Sequence, residues 1–317
     1  MHWLARQVLR LVVVLFCVTL VTFVIVNILP GDIAIVILGT LATPQDIAGL
    51  RADLGLDRPM LVRYFDWLGS ALSGDLGRSY RNGEPVAQAI ADRLPVSLEL
   101  MILAQLVALG IAVPVALLSA RKPGGFFDRL SASAAFGFLA MPNFMLGIVL
   151  IYLFSVTFDL LPATGFSPLS DGLWDNLESM ILPALTLGLV EWTVLMRVLR
   201  ADLLTTLKED FILLARAKGL PPWRVLLLHA LRPSSFTLIT ILGLNIGGLI
   251  GGAVIVEQIF ALPGVGRLLL GGIFNRDLIL VQGTVSFIAA AFVIINFLVD
   301  MLYAVLDPRV RHVRFRS

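Results

Sequence analysis

Residues 210–232 read DFILLARAKGLPPWRVLLLHALR and lie between two apolar runs, each long enough to cross a membrane. Four basic side chains are spread along the stretch: Arg216, Lys218, Arg224 and Arg232. Each of them would be costly in the hydrocarbon core, so the stretch is not predicted to span the bilayer. Gly219, followed by Pro221 and Pro222, ends one helix and lets another begin. The stretch therefore predicts two short helices, joined by a tight turn, that lie against one membrane face.

The composition of the 317-residue chain is that of a membrane protein. Its residues are 58% hydrophobic and 15% charged, with a mean hydropathy of +0.92, whereas soluble domains carry roughly 25% charged residues. These values exclude a pair of soluble domains, which the length alone would allow. The single Cys17 permits no intrachain disulfide and no cysteine cluster for a metal. The sequence therefore offers no catalytic residue and no metal site.

Six charge-poor runs approach or exceed the ~20 residues that a helix needs to cross the hydrocarbon core. The predicted fold is thus all-α and polytopic, with six transmembrane helices. The predicted spans are residues 9–30, 96–120, 131–157, 179–199, 234–256 and 279–302. The first run is longer than the apolar region of a signal peptide and has no small-x-small cleavage site after it, which predicts an uncleaved anchor.

The positions of Lys and Arg predict how the spans are oriented. The short segment 121–129 holds Arg121, Lys122 and Arg129, whereas the segment 159–178 holds neither Lys nor Arg. The segment with three positive charges is therefore predicted to be cytoplasmic. This orientation places both termini and the loop of residues 200–232 in the cytoplasm, and an outer segment of residues 31–95, with room for small helices, on the other side.

Polar and small residues inside the spans are the candidates for a translocation pathway. Glu191 lies midway along the fourth span, where an ionisable group needs a partner or a water-filled cavity. It either lines the pathway or pairs with a neighbouring helix. Asn245 and Gly248 belong to GLNIGGLIGG, a glycine-rich part of the fifth span that begins at Gly243. Glycines four residues apart let another helix approach closely, so this face packs within the chain, contacts a partner subunit or borders the pathway.

A predicted turn follows the fifth span, in residues 257–267, EQIFALPGVGR. Its turn-forming residues are Pro263, Gly264 and Gly266, and Glu257 and Arg267 flank them. The next residues, 268–273, are apolar again. This segment is either a packed surface loop or a lid over an outer vestibule.

A chain that transported solutes at the expense of ATP would need a partner to hydrolyse it. None of the three lysines, Lys122, Lys208 and Lys218, follows a glycine, so the Gly-Lys-Ser/Thr of a phosphate-binding loop is absent. An apolar stripe near helical period leads up to the turn at Gly219: Leu203, Leu204, Leu207, Phe211, Leu214 and Leu220. Such a helix either rests on anionic lipid or presses into a groove of a partner protein. Two helices and a hard turn exceed what lipid binding requires, which favours the partner protein.

Residues 210–220 and 229–232 resemble the EAA loop of binding-protein-dependent ABC importer permeases, in its peptide/nickel variant. Further stretches similar to motifs of that family occur in order along the chain. They are LPGD at 29–32, LGLDRP at 54–59, GDLGRS at 74–79, RLPVSLEL at 93–100, LPATG at 161–165, VEQIF at 256–260, PGVGR at 263–267, NRD at 275–277 and DMLYAVLDPR at 300–309.

The resemblance implies the six-helix type I importer permease fold, with residues 1–317 as a single permease domain in the bacterial inner membrane. It implies a second homologous permease beside this chain, two ABC ATPase subunits in the cytoplasm, and an extracytoplasmic solute-binding protein, with no role for nucleic acid. ATP and Mg would be bound by the ATPase subunits, so this chain would not be an enzyme by itself. The coupling helix that docks on the ATPase would consist of Asp210, Leu214, Ala215, Arg216, Ala217, Lys218 and Gly219. The outer gate, or the contact with the binding protein, would consist of Glu257, Pro263, Gly264, Gly266 and Arg267.

The sequence departs from the family pattern at the start of the loop. Leu213, Leu214 and Ala215 stand where the general consensus has Glu-Ala-Ala, although Gly219 is kept. Contacts of the missing glutamate are therefore not expected here. Glu191 stands where small residues are usual, which makes it the residue most expected to bear on the solute. The solute stays open among peptides, nickel chelates, opines and glutathione-like molecules. An ion-coupled secondary transporter and a structural membrane anchor remain as alternatives from other classes.

Overall fold

A computed structural model describes residues 2–28, 38, 42–53, 55 and 57–306. The motif at 29–32, parts of the motif at 54–59 and the tail at 307–317 lie outside the described residues. Within the described ranges the chain is helical, and its β structure is one bridge between Arg78 and Pro85. The helices are α1 (His2–Ile28), α2 (Pro44–Asp53), α3 (Met60–Leu72), α4 (Val86–Arg121), α5 (Phe126–Ala140), α6 (Asn143–Ile151), α7 (Leu173–Thr206), α8 (Asp210–Ala217), α9 (Pro222–Ile259), α10 (Val265–Phe274) and α11 (Leu278–Leu306).

Five of these helices are long and apolar enough to cross a membrane. Their qualifying parts are Arg6–Ile28, Val86–Arg121, Leu173–Thr206, Pro222–Ile259 and Leu278–Val299. A sixth crossing is present if α5 and the segment Asn143–Thr157 are counted as one broken span. The described residues therefore confirm an all-α polytopic fold.

The third predicted span, residues 131–157, differs from a single straight helix. Helices α5 and α6 meet at a bend of 102°, and the two residues between them, Met141 and Pro142, have extended backbone angles. Proline has no N–H to continue a helix, and its ring pushes the preceding residue out of the helical region. Pro142 thus explains the bend. After α6 the chain makes a further π-helical turn, Tyr152–Thr157.

The basic stretch also differs from its prediction. Helix α8 is the first predicted short helix, but the second is not separate, because α9 runs from Pro222 through the fifth span without a break. A π-helical turn, Val225–Ala230, lies near its start. Proline fits this place because the first helical position has no use for an N–H.

The described residues form two compact units: residues up to 97 with 263–297, and residues 98–262 with those from 298 onward. In the first unit, α3 packs on α1. Tyr64 is fully buried, its hydroxyl lies 2.9 Å from that of Thr19, and its ring meets the edge of Phe23. Arg63 donates a hydrogen bond of 2.6 Å to Asn27. A helix of the predicted outer segment is thus held against the first span by aromatic and polar contacts.

The second unit is organised around α7. In its most apolar window, 67% of the residues are buried, against 17–28% in the other four spanning helices. A side chain at Gly188 of α7 would lie 2.7 Å from Val107 and 2.9 Å from the carbonyl oxygen of Ala104. Helix α4 meets this core with an alanine every four residues, each at most 2% exposed: Ala104, Ala108, Ala112, Ala116 and Ala120. We name this row the alanine face; its small side chains allow close helix packing.

Candidate functional site

Helix α8 has a buried face and an exposed apolar face. Ile212 is fully buried and Ala215 is 6% exposed, whereas Phe211, Leu213 and Leu214 are 47%, 53% and 57% exposed. Three large apolar side chains exposed together on one short helix make a candidate interaction surface. We call Phe211, Leu213 and Leu214 the docking face. Asp210, Arg216, Ala217 and Lys218 are also exposed.

The predicted apolar stripe from Leu203 to Leu220 does not match the observed pattern of buried and exposed side chains, because the helix is interrupted. Helix α7 ends at Thr206 and α8 begins at Asp210, so the helical period restarts between them. The stripe predicted that Phe211 and Leu214 share a face with Leu203, yet Leu203 is buried and those two residues are exposed. Ala215, predicted as part of a surface that docks, instead faces the interior of its own chain. Its methyl group packs in the core that holds α8.

Gly219 ends α8 in the left-handed conformation, with φ of +78°. The Gly219 N–H donates to the carbonyl of Arg216 at 2.9 Å, and the Leu220 N–H donates to that of Ala215 at 3.3 Å. This pair of hydrogen bonds is the Schellman motif, which satisfies the last carbonyls of the helix and favours glycine at this position. The turn at Gly219 follows the prediction, and it fixes the direction in which the chain returns to α9.

One apolar core attaches α8 to the rest of the second unit. Ile212 and Ala215 belong to a cluster of buried residues that includes Ala116 of α4, Leu199 of α7 and Val225 of α9. Interiors of this kind are close-packed and transmit strain. A displacement of α8 would therefore reach three spanning helices directly.

A buried ion pair ties α7 to α5 in the same region. The Arg200 guanidinium donates to both carboxylate oxygens of Asp128, at 2.6 and 2.7 Å. The Gly124 N–H adds a third hydrogen bond to Asp128, at 2.7 Å. Asp128 is 5% exposed, and bidentate pairs of this geometry are strong and directional. The sequence did not mark this pair, since its members lie 72 residues apart.

Glu191 and Asn245, two of the three predicted pathway residues, lie together. The Asn245 carboxamide of α9 donates a hydrogen bond of 2.6 Å to the Glu191 carboxylate of α7. Both side chains are half-buried. Of the two interpretations left open for Glu191, the described residues thus give it a neighbouring-helix partner, and lining a pathway stays a proposal.

Some glycines of α9 pack against other residues of the chain, and others lie on an open surface. A side chain at Gly243 would lie 2.5 Å from Val299, and one at Gly252 would lie 3.2 Å from Leu187, so both glycines pack within the chain. Gly248 and Gly251 are exposed, and a side chain there would meet nothing within 4 Å. Gly248 lies one turn after Asn245, so the open surface continues from the polar pair.

The residues predicted for the outer gate also divide. Glu257, in the second unit, is buried, with 1% of its surface exposed. In the first unit, Gly264 and Gly266 are buried at the start of α10, while Pro263 and Arg267 are exposed. Pro263 and Arg267 are therefore the surface residues of the predicted set.

A polar junction in the first unit joins two of the motifs that carry the family resemblance. The Ser79 hydroxyl donates to one oxygen of the Asp277 carboxylate, whose other oxygen accepts the Leu280 N–H at 3.2 Å. Asp277 is 2% exposed. Burial raises the pKa of the nearby Tyr80 hydroxyl, and the negative charge of Asp277 raises it further. The motifs themselves were visible in the sequence, but their contact, across 198 residues, was not.

Replacing Asp277 with alanine is expected to destabilise this junction by about 2 kcal/mol. Loss of a helix N-cap costs ~0.5–2 kcal/mol, and here the Ser79 hydroxyl also loses its acceptor. Thermal unfolding of the detergent-solubilised protein measures the change. Asp277→Asn, which keeps an acceptor oxygen for the Leu280 N–H, should lose less than half as much. Equal stability of Asp277→Ala and the unaltered protein would contradict the capping role.

In the second unit, spanning helices pack around α7, and the exposed apolar helix α8 is fixed to their core. The family described as binding-protein-dependent transport system inner membrane component matches residues 112–312. The N-terminal family of the same membrane component matches residues 1–101. The chain therefore belongs to this family, whose members are the permease subunits of ABC importers in the bacterial inner membrane. This confirms the resemblance found in the sequence.

Named relatives cover almost the whole chain. A putative peptide transport system permease protein of Brucella abortus is 41% identical over 307 residues, 97% of this chain and 98% of that protein. The dipeptide transport system permease protein of Escherichia coli K12 is 37% identical over 319 residues, covering 93% and 94%. A probable peptide ABC transporter permease protein of Sinorhizobium fredii is 34% identical over 311 residues, covering 98% and 99%.

Proposed function

We propose that this chain forms half of the translocation pathway of an ATP-driven importer for peptides or related small solutes, and that it couples to a cytoplasmic ATPase through the docking face of α8. The observation that carries the proposal is the exposure of Phe211, Leu213 and Leu214 on a helix whose opposite face, Ile212 and Ala215, is anchored in the core. Helices laid into grooves are recognised through such apolar anchors. The names of the relatives support peptides as the solute class.

The remaining subunits follow from the same proposal. A second homologous permease completes the pathway, two ATPase subunits bind ATP and Mg in the cytoplasm, and an extracytoplasmic binding protein delivers the solute. The contrast between segments 121–129 and 159–178 in Lys and Arg supports cytoplasmic termini and a cytoplasmic α8. On the outer side, Pro263 and Arg267 are the proposed contacts for the binding protein.

The proposed mechanism is alternating access. ATP-driven closure of the two ATPase subunits moves α8, and the core around Ile212 and Ala215 carries that movement to α4, α7 and α9. The pair of Arg200 and Asp128 makes α5 move with α7. The spans then rock between outward-open and inward-open states, which the solute influences only through its different affinity for each.

We place the pathway beside the pair of Glu191 and Asn245 and the open glycine surface at Gly248. A carboxylate and a carboxamide can accept hydrogen bonds from the N–H groups of a passing peptide. Glycine has no side chain, so the surface of α9 at Gly248 leaves room for solute side chains of different sizes. Peptide-sized solutes of varied sequence fit such a surface better than one rigid ligand would.

Glu191→Gln is expected to lower the peptide uptake rate about fivefold while leaving the assembled complex intact. Glutamine keeps the oxygen that accepts from Asn245, but it removes the negative charge that the solute would meet. Uptake of a labelled dipeptide into proteoliposomes measures the effect. Asp175→Asn, at an exposed carboxylate in the first turn of the same helix, is the matched control. Unchanged uptake by Glu191→Gln would remove Glu191 from the pathway.

The docking proposal predicts that Leu213→Asp with Leu214→Asp separates the permease from its ATPase. Two charges in an apolar contact would lower the amount of co-purified ATPase more than tenfold, because buried unpaired charges are strongly unfavourable. Purification in mild detergent, followed by quantification of each subunit, measures it. Leu160→Asp with Leu169→Asp, at exposed leucines between α6 and α7, controls for added charge. A complex without any ATPase, from the unaltered chain, would favour a secondary transporter or a membrane anchor.

A further inference from the structure

An apolar cavity of about 660 Å³ lies beside α8 in the second unit. Its walls come from the last turns of α4, from residues on either side of α8 and from the start of α9. The apolar part of the lining includes Leu117, Leu118, Trp223 and Leu227. We call this space the inner cavity. Its volume falls within the ~300–1,000 Å³ of ligand sites in proteins.

The charged side chains that line the inner cavity are all positive. Arg121 and Arg216 are its charged lining residues, and no acidic side chain shares the lining. Both arginines are exposed, and within the described part of the chain neither forms an ion pair or a hydrogen bond through its side chain. Arg200, by contrast, is already paired with Asp128. Two unpaired guanidinium groups over an apolar surface attract an anion that also carries apolar groups.

The position of the inner cavity, at the ends of spanning helices, indicates what kind of anion binds there. Leu118 and Leu227 are 52% and 42% exposed and belong to spanning helices, so they continue the cavity onto a surface that lipid chains reach. Trp223, which also lines the cavity, is 56% exposed, and tryptophan is enriched where membranes meet water. Basic pockets between spanning helices bind anionic lipid headgroups.

We propose that the inner cavity binds an anionic phospholipid, with its phosphate between Arg121 and Arg216 and its acyl chains along Leu118 and Leu227. Inorganic phosphate would satisfy the arginines but leave the leucines uncovered. A segment of another protein would cover the leucines, but it would need acidic side chains at both arginines. One phospholipid supplies both chemistries and is present wherever the spans are embedded.

The bound lipid would stabilise the C-terminal end of α8 without covering its docking face. Arg216 and Leu220 line the inner cavity, whereas Phe211, Leu213 and Leu214 do not. The basic stretch would then use lipid and protein together, one on each side of the helix. This inference depends on the cavity and its charges, and not on the ATPase contact.

The test is native mass spectrometry of the assembled complex after extraction from nanodiscs of phosphatidylethanolamine and phosphatidylglycerol. We expect one phosphatidylglycerol per copy of this chain to resist detergent exchange. Arg121→Gln with Arg216→Gln should lower that retention at least fivefold, and Arg121→Gln alone at least twofold. The matched control, Arg129→Gln with Arg232→Gln, changes two exposed arginines outside the lining and should retain the lipid. Equal retention in the double variant and its control would overturn the proposal.

A second measurement identifies the occupant directly. A photoreactive leucine analogue at position 227, in the complex within nanodiscs, should form an adduct with the mass of phosphatidylglycerol. A cross-link to another subunit would overturn the proposal and assign the inner cavity to a protein contact. Binding of inorganic phosphate at Arg121 and Arg216, with no phosphatidylglycerol retained, would assign the inner cavity to a free anion and would overturn the proposal as well.

Discussion

Gly219→Pro is expected to abolish solute uptake, with a loss of more than tenfold, while the chain still inserts into the membrane. Gly219 has a φ of +78°, and the proline ring holds φ near −65°, so the left-handed turn cannot form. Proline also removes the N–H that donates to the carbonyl of Arg216. Without the turn, α8 loses its fixed direction, and under the proposed coupling its docking face would no longer follow the movement of the ATPase.

The measurements are peptide uptake into proteoliposomes and stimulation of ATP hydrolysis by a loaded binding protein. Gly219→Ala is the matched control, because a side chain at this position would meet nothing within 4 Å. Gly219→Ala should cost about 1–2 kcal/mol, because alanine must adopt the left-handed conformation. The variant should retain at least a third of the uptake. Uptake by Gly219→Pro at the level of Gly219→Ala would refute the need for this turn.

Asp128→Ala should destabilise the second unit by about 3 kcal/mol and lower uptake at least tenfold. The substitution leaves the Arg200 guanidinium without its partner, and breaking a buried ion pair costs ~3–5 kcal/mol. The side chain of Arg200 is 30% exposed, which places the expected cost at the lower end. The Gly124 N–H also loses its acceptor. Thermal unfolding of the purified complex, with uptake measured in parallel, gives both quantities.

A double variant separates the charge of this pair from its packing. Asp128→Leu with Arg200→Met replaces both members by apolar side chains, and such replacements are often neutral for stability. It should recover most of the thermal stability that Asp128→Ala loses. If uptake recovers together with stability, the pair serves only to hold α5 against α7. If uptake stays low in a stable complex, the directional hydrogen bonds are themselves needed for movement. Wild-type stability of Asp128→Ala would contradict the structural role of the pair.

The parts of the fold that the sequence predicted depend on local composition. Spanning helices follow from apolar runs, and the turn at Gly219 follows from glycine before two prolines. The 102° bend after α5 also had a local cause, Pro142, but a predicted span of 131–157 was long enough to hide it. The second short helix begins at Pro222, as the prolines predicted, but its continuation into the fifth span was missed because Arg224 and Arg232 were interpreted as keeping it outside the membrane.

The candidate site was predicted less completely, because its contacts join distant residues. Glu191 and Asn245 were each proposed from their place in a span, but their hydrogen bond links positions 54 residues apart. Arg200 and Asp128 were not singled out in the sequence, because their ion pair joins residues 72 positions apart. The burial of Ala215 was not predicted for a simpler reason: a three-residue interruption resets the helical period, so Ala215 and Leu203 are buried while Phe211 and Leu214 of the predicted stripe are exposed.

The alanine face of α4 has a consequence for the variation that this chain can tolerate. From Ala104 to Ala120 the same small residue recurs every four positions, and none of these methyl groups is more than 2% exposed. A larger side chain at any of them must push a neighbouring helix aside or find a rotamer along a crowded groove. Ile102 just before this row, and Leu106 and Leu118 within it, are more than half exposed and have room to change. The residue size that α4 tolerates should therefore vary with a period of about four residues, with small residues required wherever a neighbouring helix packs against it.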